Sequence, residues 1–246
     1  MEWQEPAIIL EAAPYGEGDA LVTVLTAEAG AWRGLARGGF ARGRAALWQK
    51  GNLVSARWVA RLAEQLGSFT GELVHPAAAL AMDDRLALAV LDAACAVAAG
   101  ALPEREPHPA CFAGLARLLA GIDISGHALP ALIEWELDLL RELGFGLDFS
   151  ASAIAGDNDR LAFVSPRTGR AVSLSGAGDW ASRLLRLPAF LLEGGAPDLS
   201  DCLDGLKLTG HFLARDAFGA RHLPLPPARE RLHDLIADRV EAREIR

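Results

Sequence analysis

The chain changes hydrophobic period once, at His75-Pro76, and that change limits the folds open to it. Before it, short apolar runs alternate with Gly-containing turns. AIILEA (Ala7–Ala12), ALVTVLT (Ala20–Thr26) and AWRGLAR (Ala31–Arg37) each have strand length, and GEGD and AEAG between them are turn material. A longer run, Leu47 to Arg61, places Val54, Ala56 and Trp58 on one face and Ser55, Arg57, Val59 and Arg61 on the other. Gly51 inside that run is a candidate bulge. Gly67–Leu73 supplies a fifth strand. Five strands in about 75 residues, the fourth long and curved, predict a small closed barrel of the OB type rather than a sandwich.

After Pro76 the apolar spacing becomes helical. One helix is expected from Pro76 to about Gly100, then a rigid connector, PEREPHP (Pro103–Pro109), and a second helix over Pro109–Ala120. A third, about Leu129 to Leu143, carries two apolar stripes: Leu132, Trp135, Leu139 and Leu143, then Ile133, Leu137 and Leu140. A helix apolar on two stripes belongs at the centre of a bundle. Its acids, Glu134, Glu136, Asp138 and Glu142, read as a solvated edge. Phe145 to Gly178 reads as an irregular excursion with one short strand, Leu161–Val164, and helical stretches are expected at Asp179–Arg186, Leu199–Phe218 and Pro227–Ala242. The fold class is therefore α+β, an OB-fold barrel (1–76) followed by a mainly α-helical domain (77–246) with its excursion at about 145–178.

Composition bounds the function. With 51% hydrophobic and 23% charged residues the chain is globular rather than disordered. MEWQEPAIIL lacks a basic n-region and a cleavage site, and the most apolar stretch, Leu86 to Leu102, is interrupted by Asp92. Neither a signal peptide nor a membrane span is expected. Cys95, Cys111 and Cys202 stand far apart with no CxxC pair, which suits reduced, buried thiols in a cytoplasm.

Charge is segregated. Ala31 to Arg61 holds seven basic side chains (Arg33, Arg37, Arg42, Arg44, Lys50, Arg57 and Arg61) and no acidic one, while the whole chain is at −8; the remaining residues therefore carry −15. A basic stripe on an acidic body is the footprint of a polyanion-binding face, because Lys and Arg displace the counterions condensed on phosphates. Trp32, Phe40, Trp48 and Trp58 lie in the same stripe, and aromatics beside basics suit stacking on unpaired bases. The plainer alternative is that the tryptophans are core and the arginines solubilise a sheet face. RGLARGGFARGR, Arg33 to Arg44, reads as a flexible connection in which glycine supplies positive φ and also as a mobile arm of spaced guanidiniums that can follow a phosphate backbone; the two readings are compatible. In the last helix, Arg229 and Arg231 sit in the first turn, where the helix dipole disfavours cations. They point to an anionic partner or a nearby acidic helix, or to an exposed ion pair.

No P-loop, GxSxG elbow, HExxH helix or kinase signature occurs. Asp157-Asn158-Asp159 opens like a calcium loop but lacks the closing Glu. The six histidines are scattered, and His211 and His233 read as helix residues with a satisfied hydrogen bond. A nuclease would need clustered carboxylates to hold metal, and the basic window offers none. No enzyme is expected.

ILEAAPYGEGDALVTVLTAEAG (Ile9–Gly30), LARGGFARGR and the strand to GELVHP resemble, in order and spacing, the N-terminal half of the bacterial RecO recombination mediators. LIEWELDLLRELGFGLDFS, FVSPRTGRAVS and FLARD…LPLPPARER are similar to that family's central helix, following turn and last helices. Many members carry four zinc-binding cysteines in the excursion. Leu147 to Ser175 has none here, so no cofactor and no metal are expected, with turn chemistry and packing of Phe149, Leu161 and Phe163 in their place.

The resemblance implies a non-catalytic monomer, cytoplasmic and nucleoid-associated, that binds single- and double-stranded DNA and anneals complementary strands. It also implies cooperation with RecR in loading RecA onto DNA covered by single-strand binding protein, whose acidic tail docks on the helical domain. Arg117, Arg141, Arg215 and Arg221, on or beside apolar helices, are the candidate tail contacts. The alternative is an interaction module binding an acidic protein partner through the basic face of the barrel.

Overall fold

The computed structural model describes residues 1–62, 64–154 and 160–244. It forms two compact units, Met1–Ala128 and Leu129–Arg246. In the first, β1 (Glu2–Tyr15), β2 (Asp19–Thr26), β3 (Ala31–Ala36), β4 (Leu53–Val59) and β5 (Ser68–His75) close into a barrel in the order β1-β2-β3-β5-β4. This is the expected five-stranded, OB-like ring. The long strand is β1, not the fourth. Its first half pairs with β4 and its second with β2, and an irregularity between Ile9 and Glu11 accompanies the change of partner.

The run from Leu47 is not strand until Leu53. Gly51 lies in the preceding turn at φ +87°, where a side chain would strike Leu91. It is therefore not a bulge within β4. Instead the Gly51 N–H donates to the Ile9 carbonyl (2.8 Å), and the Ile9 N–H donates to the Asn52 carbonyl (2.9 Å), so the turn serves the irregularity in β1. Val54, Ala56 and Trp58 do point inward, with Ile9, Val22, Val24, Trp48 and Phe69. Trp3, Trp32 and Trp58 pack ring to ring at centroid distances of 5.0 to 6.3 Å. The tryptophans are mainly barrel core.

Beyond Pro76 the single expected helix is two, α1 (Ala77–Ala81) and α2 (Arg85–Ala101). Asp84 starts the second by accepting the Leu86 N–H at 2.7 Å, an N-cap that periodicity alone hides. Asn52, 2% exposed, ties this junction to the barrel. Its amide donates to the Ala46 carbonyl (2.8 Å) and accepts from the Ala78 N–H (3.1 Å). α3 spans Pro109–Ala120 as expected. The connector before it lies on β3: the Arg105 N–H donates to the Ala31 carbonyl (2.8 Å), and its guanidinium stacks 4.6 Å from the Trp32 ring centre.

The second unit is built on α4 (Ala128–Glu142). Leu132, Ile133, Trp135, Leu139 and Leu140 are buried, which fits both apolar stripes. Glu136 is not on a solvated edge; it is fully buried, and Arg229 of the last helix explains it. The excursion holds more sheet than expected. β6 (Leu161–Val164) pairs with β7 (Ala171–Ser173) and with β8 (Leu185–Arg186). Between the last two lie α5 (Leu174–Ala177) and a 3-10 turn, Gly178–Arg183. The helix expected over Asp179–Arg186 thus gives way because Leu185 and Arg186 complete the hydrogen bonding of β6. After α6 (Phe190–Glu193), α7 (Leu199–Phe212) is opened by a capping box of Asp198 and Asp201. A π-helical turn, Leu213–Phe218, and a 3-10 turn, Gly219–Arg221, replace the end of the expected helix, and α8 spans Pro227–Glu244.

Candidate nucleic-acid interface

The β3–β4 connection, which carries four of the seven basic residues (Arg37, Arg42, Arg44 and Lys50), is a chain of hydrogen-bonded turns. Gly39 N–H bonds Ala36, Ala41 bonds Gly38, Arg44 bonds Ala41 and Leu47 bonds Arg44, each at 3.0 Å. Gly38 and Gly43 adopt φ of +63° and +90°, so the glycines do supply the positive φ that side chains resist. The connection is also pinned from outside. Asp19 of the GEGD turn accepts the Gly38 N–H at 2.7 Å, Gly18 accepts the Phe40 N–H at 3.0 Å, and Trp48 is buried at the far end. The connection is thus a hydrogen-bonded loop that leaves Arg37, Arg42 and Arg44 exposed.

The seven basic residues separate into two groups. Arg33 on β3 approaches Glu104 at 3.8 Å, Lys50 bonds Asp92 of α2 at 3.1 Å, and Arg57 on β4 forms a two-pronged pair with Glu2 at 3.2 and 2.8 Å. The guanidinium of Arg57 hydrogen-bonds Glu2 and holds its carboxyl below the usual range, and Glu2 raises Arg57 in turn. Arg37, Arg42, Arg44 and Arg61 are exposed, and among the described residues none of them pairs with a carboxylate. Arg44 instead donates to the Arg37 carbonyl (3.3 Å). These two line one groove of about 370 Å³ with Leu47, Trp48 and Ser68 to Gly71 of β5.

The aromatics separate as well. Trp48 and Trp58 are buried and Trp32 is half-buried beneath Arg105, so none of them offers a free face for a base. Phe40, 40% exposed between Arg37 and Arg42, does. The outer face of β2 and β3, where OB barrels usually take oligonucleotides, is less basic than its strand sequence suggests. There Arg33 and Arg105 share a depression with Glu64 and Glu104. Within the barrel, the basic charge free of ion pairs is concentrated on the β3–β4 loop.

The remaining candidate residues fall in different units. Arg117 is on α3 of the first unit, while Arg141, Arg215 and Arg221 belong to the second. Arg141 bonds Asp138 at 2.5 Å, and Arg215 bonds Asp216 at 2.7 Å and the Pro166 carbonyl. A cavity of about 540 Å³ beside α7 and α8, lined by Leu206, Leu225, Lys207 and His233 among others, includes none of the four. Arg229 is neither exposed nor aimed at a partner. At 1% exposure it bonds both Glu136 oxygens (2.6 and 3.0 Å), the Leu206 carbonyl (2.9 Å) and Thr209 (3.1 Å), so the nearby acidic helix is its explanation. His211 bonds the Pro166 carbonyl (3.0 Å) and His233 bonds Asp234 (3.2 Å), as helix residues with satisfied rings.

The excursion does not suit zinc. It has no cysteine, and no group of three His, Cys, Asp or Glu among the described residues could hold a metal. Asp148 organises a turn there, accepting the Ser150 N–H (3.0 Å) and hydroxyl (2.6 Å), which lowers its pKa. Phe149, Leu161 and Phe163 are half-buried. Asp157-Asn158-Asp159 lies outside the described residues. All three cysteines are buried and outside any disulfide; desolvation pushes Cys95 and Cys202 up to about 12. No helix among the described residues is long and apolar enough to cross a membrane.

Sequence reasoning missed Asp19 and Asn52 as organisers of the loop. Asp19 was legible in principle, since a turn aspartate is a ready acceptor for backbone N–H groups. Asn52, inside an apparent strand, gave no signal.

Two family models match the chain. "Recombination protein O N terminal" covers residues 1–77 and "Recombination protein O C terminal" covers 82–223. Among curated proteins, the DNA repair protein RecO of Acidiphilium cryptum is 65% identical over 98% of this chain and 97% of its own length. That of Granulibacter bethesdensis is 57% identical over 96% of each, and that of Rhodospirillum centenum 48% identical over 95% and 94%. The order of barrel and helices and the full-length identity lead to one conclusion: this chain belongs to the RecO family of DNA repair proteins, which are non-catalytic recombination mediators.

Proposed function

We propose that this protein binds single- and double-stranded DNA through the β3–β4 loop of its barrel and anneals complementary strands. With RecR it then loads RecA onto DNA covered by single-strand binding protein. Residues 1–76 act as the DNA-binding domain and 77–246 as the partner-binding one. The observation that carries this is that Arg37, Arg42 and Arg44 flank the exposed Phe40 on one loop, with no carboxylate ion pair among the described residues. Unpaired guanidiniums release counterions from phosphates, and a free ring stacks on an unpaired base. Arg61 joins them from the end of β4, while Arg33, Lys50 and Arg57 contribute only after leaving Glu104, Asp92 and Glu2.

The same domain division gives the helical part the acidic tail of single-strand binding protein. With Arg141 and Arg215 held by Asp138 and Asp216, the tail has to compete with local carboxylates, so its binding is weak and salt-sensitive. Calorimetry with the tail peptide, with and without its terminal Phe, tests this part; equal binding of both peptides, or none, refutes it.

For the barrel, each phosphate contact on a single strand adds about 0.7 to the slope of log affinity against log salt. Replacing Arg37 and Arg44 together by Ala is expected to lower that slope by about 1.4 and to weaken binding whatever the base sequence. An unchanged slope removes the loop from the interface.

A further inference from the structure

We infer that the second compact unit carries its own binding surface for a single nucleic-acid strand, centred on Trp180 and Arg183 and extended by Arg186, Arg167 and Arg170. The inference rests on the DNA-binding reading above and adds a second, separate site to it.

The first observation is charge. From Arg160 to Arg186 there are five arginines and one acidic residue, Asp179. The segment is thus at +4, while the rest of residues 129–246 is at −8. This repeats, on a smaller scale, the segregation seen in the barrel. The fold keeps these arginines in water. Arg167 sits in the turn joining β6 to β7, closed by the Gly169 N–H on the Ser165 carbonyl at 2.9 Å, and it has no carboxylate partner among the described residues. Arg186 is on β8, opposite Phe163 of β6. Its nearest carboxylate, Asp204, stands at 4.0 Å, and Arg170 is 3.6 Å from Asp148, with both guanidinium side chains well exposed. Pairs this long and this exposed are easily exchanged for phosphate.

The second observation is aromatic. Trp180 is 63% exposed, more than any other described aromatic side chain. The other five tryptophans are buried or half-buried. The Arg183 guanidinium lies 5.0 Å from the Trp180 ring centre, which places a cation beside the ring before any ligand arrives. An exposed indole with a guanidinium at hand and further arginines along the chain is the combination that single-strand binders use, stacking on a base while charges follow the backbone. A patch meant only for solubility has no use for an exposed tryptophan. An acidic peptide without an aromatic residue would use the charges and leave the ring idle.

The consequence is functional. Annealing requires two strands to be held at once. A barrel loop and a second-unit surface, each taking one strand, give a single chain that capacity.

The test uses the full-length protein and a short oligothymidylate at low salt. Two oligonucleotides are expected per wild-type chain, one for Trp180→Ala/Arg183→Ala and one for Arg37→Ala/Arg44→Ala. Annealing by either variant should fall about tenfold or more. Because Trp180 is the exposed indole, iodide should quench a fraction of the fluorescence that Trp180→Phe lacks, and oligothymidylate should shield it. One oligonucleotide per wild-type chain, two retained by the Trp180→Ala/Arg183→Ala variant, or no shielding overturns the inference. Equal shielding by polyglutamate also overturns it, in favour of an acidic partner. If the Arg37→Ala/Arg44→Ala variant keeps both oligonucleotides while the second-unit variant keeps one, the barrel assignment fails and this one stands.

Discussion

In the first unit, Arg37, Arg42 and Arg44 stand exposed on a loop and form no ion pair with a carboxylate among the described residues. In the second, Arg229 is folded into the core and locked to Glu136, Thr209 and the Leu206 carbonyl. Both sets look alike in a charge count. Their difference is a matter of partners: a buried, fully bonded guanidinium is a structural element, whereas an exposed, unpaired one keeps its field for a polyanion. Arg33 and Arg57, exposed, and Lys50, half-buried, fall between these extremes, each paired with a carboxylate.

The comparison is broken most severely at Glu136. Glu136→Ala leaves the Arg229 charge buried and uncompensated, and is expected to cost about 3–5 kcal/mol. For a chain of this size that corresponds to a fall of roughly 10 °C in Tm. Replacing both residues at once, Glu136→Leu with Arg229→Met, should recover most of the loss, because no orphaned charge remains. DNA affinity measured below the transition should be unchanged in both. If affinity falls with stability intact, Arg229 is not the structural element described.

Asn52 tests the same rule without charge. Asn52→Ala removes the donor to the Ala46 carbonyl and the acceptor for the Ala78 N–H, leaving the latter, a buried backbone group, unpaired. A loss of about 1–3 kcal/mol is expected in denaturant unfolding. A neutral result would mean that water replaces the amide.

These two residues also mark where sequence reasoning stops. The barrel was legible because a two-residue period and its turn glycines are local signals, and Val54, Ala56 and Trp58 share a face wherever that strand sits. α3 and β6 were legible for similar reasons, through Pro109 and through a short apolar run between turns. Glu136 was misread because a buried acid on an apolar helix is explained only by a residue 93 positions away. β8 was missed because two residues of strand exist only where β6 offers an edge. In the candidate interface the sequence located the basic window. It could not tell which members were neutralised, since Glu2, Asp92 and Glu104 lie outside the window and reach it only through the fold.

A subtler break lies in the support of the loop. Asp19 accepts the Gly38 N–H from across the barrel end and touches no candidate DNA contact by an ion pair. Asp19→Ala should loosen the loop, so that its arginines must be ordered on binding. The expected cost is about 1 kcal/mol, or roughly fivefold in affinity. Asp19→Asn keeps an acceptor oxygen and should restore much of it. If Ala and Asn behave alike, Asp19 acts through its charge and not by positioning.

The smallest effect sharpens the comparison between paired and unpaired arginines. Glu2 holds Arg57 on the surface of the barrel, and the guanidinium in turn keeps the Glu2 carboxyl below its usual range. The pair's contribution to stability is therefore present above the ordinary carboxylate range and lost as pH falls through the lowered Glu2 value. Both side chains are exposed, so that contribution is small and breaking the pair should barely move Tm at neutral pH. Its effect belongs to binding. Glu2→Gln releases Arg57 to a phosphate, and the single-strand salt slope should steepen by about 0.7 if that arginine lies on the DNA path. Acidifying the wild type until Glu2 protonates should bring its slope towards that of the variant. A variant with an unchanged slope would place Arg57 off the path, and the interface would then be confined to the loop of Arg37, Arg42 and Arg44.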